Sequence, residues 1–86
     1  MKEYTEAATK AIEEYMAHKG IKPIVGTHYS VMIDAFGLYT NEERPIPFPP
    51  FAESILLISA ISKEDGTFLI EESDEIQKYI KRTQVA

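Results

Sequence analysis

Thr27-His28-Tyr29-Ser30-Val31-Met32-Ile33-Asp34-Ala35-Phe36-Gly37-Leu38-Tyr39 is the stretch on which the fold turns, because it fits two periodicities. As a strand, Tyr29, Val31, Ile33 and Ala35 alternate with His28, Ser30, Met32 and Asp34, one apolar face against one mostly polar face. As a helix, Thr27, Ser30, Asp34 and Asn41 fall near one polar stripe with Tyr29, Met32, Ile33 and Phe36 opposite. The enrichment in β-branched and aromatic residues favours a single strand, and Gly37 weakens either reading.

The flanks are clearer. Upstream, Tyr4, Ala7, Ala8, Ala11, Ile12, Tyr15 and Met16 recur every three or four residues, which predicts an amphipathic helix over 3–19 stopped by Gly20. Downstream, four prolines in Arg44-Pro45-Ile46-Pro47-Phe48-Pro49-Pro50-Phe51 remove backbone donors, so 41–51 is expected as a loop, partly polyproline II. The isoleucine-rich run 54–62, then Lys63-Glu64-Asp65-Gly66, then 67–71 predicts a β-hairpin, its first strand central in a sheet. Ser73-Asp74-Glu75-Ile76-Gln77 predicts a second helix capped by Asp74, with Ile76, Tyr79 and Ile80 as its buried stripe.

These elements predict one small α+β domain over 1–86: an N-terminal helix, a three-stranded antiparallel sheet and a C-terminal helix, both helices on one face. The expected core is Ala8, Ala11, Ile12, Tyr15, Val31, Ile33, Leu57, Ile61, Leu69, Ile76 and Ile80. The helical reading of 28–39 gives the alternative, a mainly helical, winged-helix-like chain with 63–66 as the wing tip.

Composition narrows the function. With 14 acidic against 9 basic residues the net charge is −5, which opposes phosphate backbones. The expected wing tip is acidic and the candidate recognition helix carries no lysine or arginine, so a DNA-binding regulator is the weaker alternative. The chain contains no cysteine, which excludes disulfides, thiolate nucleophiles and zinc–thiolate sites. No signal-peptide core or membrane-spanning run is present, and a cytoplasmic protein that does not enter membranes is expected.

Candidate chemistry is sparse. His18, His28, Asp34 and Glu14 are the only metal-binding set to weigh, and Glu14 and His18 at i,i+4 read more simply as a solvated helix pair. His28, Ser30 and Asp34 share one strand face with even the nearer pair roughly 7 Å apart, too far for a hydrogen-bonded catalytic set. No glycine-rich loop joins a strand to a helix, so no nucleotide, metal or other cofactor is expected.

The most specific pattern is the proline segment. Arg44, Pro47 and Pro50 have the spacing of a polyproline ligand, with Phe48 and Phe51 bracketing Pro49-Pro50. Those five residues are the candidate partner-binding site, unless the two phenylalanines fold back onto the core. The expectation is therefore a non-enzymatic protein-interaction module, an inhibitor, adaptor or subunit, whose partner is another protein with a basic surface. A small enzyme or metal-dependent protein using His28 is a second alternative, and residues 27–39 are the edge expected to be shared in a homodimer.

Overall fold

The computed structural model describes residues 2–31 and 36–84. Its order is α1 (Lys2–Lys19), β1 (Thr27–Val31), β2 (Phe36–Pro45), β3 (Ala52–Ser62), β4 (Phe68–Glu72) and α2 (Ile76–Gln84). The strands form one antiparallel sheet in the order β1-β2-β3-β4. The α+β architecture with a helix at each end is as expected, but among the described residues the sheet has four strands rather than three.

The additional strand comes from the ambiguous stretch. Val31 pairs with Phe36, Tyr29 with Leu38 and Thr27 with Thr40, so the chain reverses between Val31 and Phe36 instead of running straight through. Both the single-strand and the helical readings of 27–39 are overturned for the described residues. The register pairs odd residues of β1 with even residues of β2, so Phe36 and Leu38 join Tyr29 on the core face. Tyr29 and Phe36 stack there with ring centroids 5.4 Å apart. The expected dimer edge also shrinks: β1 is an edge strand, but β2 is enclosed by β1 and β3.

Helix α1 forms where its periodicity predicts it. Ala8, Ile12 and Met16 are buried against the sheet, and Tyr4 meets Phe68 at 5.7 Å between ring centroids. The Tyr15 hydroxyl donates to a carboxylate oxygen of Glu72 at the end of β4. Gly20 has φ +75, its amide donates to the Ala17 carbonyl at 3.1 Å, and the Ile21 amide donates to the Met16 carbonyl at 2.8 Å. This paired pattern with a left-handed glycine is how a helix ends when its last carbonyls must be satisfied by backbone.

The β3–β4 hairpin also forms as expected. Gly66 takes φ +86 in its turn, and Asp65 accepts hydrogen bonds from the Thr67 amide at 3.0 Å and the Thr67 hydroxyl at 2.6 Å. β3 is central, and four consecutive residues of it, 57–60, are buried. At the start of α2 the cap is Ser73 rather than Asp74, its hydroxyl accepting from the Glu75 amide at 3.2 Å. The Ser73 amide itself donates to Leu57 at 2.8 Å, so the sheet ladder holds Ser73 where its side chain meets the helix start.

One cluster joins Ala8, Ile12 and Met16 of α1, Ile76 and Tyr79 of α2, and Phe36, Leu38, Leu57, Ile58 and Ala60 of the sheet. Of the expected core, Ala8, Ile12, Leu57 and Ile76 are buried, whereas Ala11, Tyr15, Ile61 and Ile80 are half-buried. Val31 and Leu69 are exposed, and Ile33 lies outside the described residues. Val31 falls at the end of an edge strand, and Leu69 points to the sheet face opposite Phe68 and Ile70.

That opposite face carries Gly37, Tyr39 and Leu56. A Cβ on Gly37 would lie 2.8 Å from Leu56 Cδ1 and 3.1 Å from Tyr39 Cε2, so both side chains lie back over the bare glycine backbone. Tyr39 is buried as a result, and its hydroxyl has no hydrogen-bond partner among the described residues.

Candidate partner-binding site

β2 and β3 run on past the core to form a projecting hairpin. Residues 41–45, expected in a loop, are strand: Glu43 pairs with Ser54, Arg44 with Glu53 and Pro45 with Ala52. The cross-strand charge pair accounts for this. Arg44 Nη2 lies 2.8 Å from Glu53 Oε1, its Nε donates to the same oxygen at 2.9 Å, and its Nη1 donates to Glu75 Oε1 at 3.1 Å. Pro45, with no amide to give, ends the strand.

The remaining six residues close the hairpin. The Ile46 amide donates to the Phe51 carbonyl at 3.2 Å, and the Phe51 amide donates to the Phe48 carbonyl at 2.8 Å. The Pro49-Pro50 peptide is cis and Phe51 has φ 70. Residues 48–51 are therefore a hydrogen-bonded turn, not the polyproline II helix expected of this segment. Phe48 and Phe51 do not fold back onto the core; each is 62% exposed. Pro47 and Pro50 are exposed beside them. Arg44 stands apart, its guanidinium tied to Glu53 and Glu75, and those carboxylates favour its charged form.

Among the described residues, the other candidate metal-binding side chains do not come together. His28 Nδ1 is 2.8 Å from Asn41 Oδ1, and its ring stacks on Tyr39 at 6.1 Å, on the sheet face away from α1. Asp34 lies outside the described residues, and among those described no three metal-binding side chains are grouped. Nor is any helix among them long and apolar enough to cross a membrane.

A concavity elsewhere on the molecule escaped the sequence reading. Between α1, the linker after it and β1 lies an open cleft of about 350 Å³, lined chiefly by Met16, Ala17, Ile21, Ile24, Tyr29 and Leu38, with Glu13 at its rim. The signal for it was present: Ile21 and Ile24 are apolar residues in a linker, and Ile24 is buried. Tyr29 titrates above its ordinary 10.0, first because burial disfavours the phenolate and then because of the charge on Glu13. No protein-family model, curated protein or solved structure matches this chain.

Proposed function

We propose that this chain is a non-enzymatic binding module that grips a partner protein with the tip of its β2–β3 hairpin, through Phe48 and Phe51 flanked by Pro47 and Pro50. The observation that carries this reading is the exposure of both phenylalanines on a hydrogen-bonded turn, one of them with φ 70. A bulky residue in that backbone region costs on the order of 1–2 kcal/mol relative to glycine. A phenylalanine there adds nothing to the core, which makes contact with something outside the chain the economical explanation.

Charge supports a basic partner. The strands below the tip carry Glu42, Glu43 and Glu53 against Arg44, in a chain whose net charge is −5. An apolar tip above an acidic collar favours a surface that offers an apolar pocket rimmed by lysine or arginine. Arg44 holds the hairpin to Glu75 rather than reading the partner itself.

The test is paired capture with wild type and a Phe48→Ser, Phe51→Gly double variant. The variant is expected to keep its stability to within about 1 kcal/mol, since both rings are solvated and glycine relieves the left-handed position. It is expected to lose the captured partner, and wild-type capture is expected to weaken with salt. Equal capture by a folded double variant refutes the reading.

A further inference from the structure

The cleft beside α1 shares no residue with the hairpin tip and supports a separate conclusion. At about 350 Å³ it lies within the range of small-molecule pockets, which start at roughly 300 Å³. Its walls are apolar: Met16 and Ala17 from α1, Ile21 and Ile24 from the linker, and Leu38 at its base. Such a surface takes up a compact apolar body by excluding water.

Polarity enters from one side. Among the described residues lining the cleft, Glu13 is the only acidic or basic one besides His28, and it forms no ion pair with a described residue. Tyr29, which also lines the cleft, brings a phenol held in its neutral form first by burial and then by the charge of Glu13. Thr27 is already committed, its hydroxyl donating to the Ile24 carbonyl at 2.7 Å, where it braces the linker wall. An anionic ligand would be repelled by Glu13, whereas a cation gains a carboxylate and a phenol oxygen as acceptors.

We propose that this cleft binds a small organic amine, its apolar body seated between Met16, Ile24 and Leu38 and its ammonium group held at Glu13 beside the Tyr29 hydroxyl. The size of the cleft limits the body to about a ring and a short chain. The ammonium supplies the positive charge that the Glu13 rim lacks, and its three donors match the two acceptors with one left for water.

The probes are phenethylamine, 2-phenylethanol and 3-phenylpropionate, which share one apolar body and differ in charge. Titrated into isotope-labelled protein, the amine is expected to give saturable amide shifts at Ala17, Ile21, Ile24 and Tyr29. It should bind about fivefold more tightly than the alcohol, with the carboxylate weakest. Glu13→Gln, at an exposed position, is expected to leave the melting temperature unchanged and to erase the preference for amine over alcohol. Ala17→Phe, also at an exposed position, is expected to fill the cleft and abolish all three responses. Absence of saturable shifts at the cleft overturns the proposal, as does equal affinity for the three probes or an amine preference that survives Glu13→Gln.

Discussion

Adding one methyl group at Gly37 tests how the helix-free face of the sheet is packed. The Cβ of Gly37→Ala would stand 2.8 Å from Leu56 Cδ1, 3.1 Å from Tyr39 Cε2 and 3.2 Å from the Ile58 carbonyl oxygen. The leucine tip can rotate away, but the carbonyl belongs to the central ladder and cannot. Relief therefore requires Leu56 to swing off and Tyr39 to lift from the backbone it covers. Overpacking of this kind costs about 1–3 kcal/mol, and alanine returns about 0.5 kcal/mol by restricting the unfolded chain. A net loss of about 1–2 kcal/mol is expected, which lowers the melting temperature by about 5–15 °C in a domain of this size. Circular dichroism melts and urea titrations of Gly37→Ala, Leu56→Ala and the double variant measure it. Removing the leucine removes the closest clash, so the double variant should be more stable than the summed single effects by about 1 kcal/mol. A Gly37→Ala protein as stable as wild type, or strict additivity with Leu56→Ala, refutes this account of the face.

Three further outcomes concern the tyrosines and Asp65. Tyr39→Phe removes a buried hydroxyl that has no partner among the described residues, so stability should hold or rise by about 1 kcal/mol in the same melts, and a clear loss would mean that the hydroxyl is bonded. Tyr15, Tyr29 and Tyr39 all titrate above the ordinary 10.0, Tyr15 chiefly through its bond to Glu72 and the other two chiefly through burial. Because the fold favours their neutral forms, their contribution is complete below pH 10.0 and is lost as pH rises through the folded-state values, so phenolate absorbance should develop later in folded than in urea-unfolded protein. Asp65 runs the other way: held low by its Thr67 bonds, it contributes above pH 3.8 and ceases to do so as pH falls through its lower folded value.

What could be read from the residues alone was whatever is specified locally. The α1 stripe, the Gly20 stop and the Asp65-Gly66 turn each depend on neighbours a few positions away, and each appears in place. The reversal between Val31 and Phe36 carries no glycine or proline to announce it, and alternation alone continues smoothly through the stretch. Missing it by one strand also misplaced the core, since Phe36 and Leu38 switch faces relative to a straight strand while Val31 moves to an exposed edge. The proline segment was legible as a loop only from Ile46 onward. Strand 41–45 is held by an ion pair between residues nine apart, Arg44 and Glu53, which no local propensity records. Exposure of Phe48 and Phe51 depends on how far the hairpin outruns the core, and the cleft depends on how the linker from Ile21 to Ile24 crosses between helix and sheet; both are properties of the assembled fold.

Thr40 has a further consequence. Between Tyr39, opposite Leu56, and Glu43, opposite Ser54, β2 spends three residues where β3 spends one. The buried Thr40 hydroxyl bridges that mismatch, accepting from the Ile55 amide at 3.2 Å and donating to the Glu42 carbonyl at 3.0 Å. A side chain thus stands in for a rung of the ladder, and the hairpin is divided into an inner section fused to the core and an outer section that bears the aromatic tip. Two contacts cross that division, Arg44 Nη1 to Glu75 Oε1 at 3.1 Å and the Tyr79 hydroxyl to Glu42 Oε2 at 3.4 Å, so opening the outer rungs also breaks the hairpin's ties to Glu75 and α2. Work done on Phe48 and Phe51 is therefore passed on beyond residue 40 by side chains rather than by the ladder, and it arrives at Glu75 and at Tyr79 of the core.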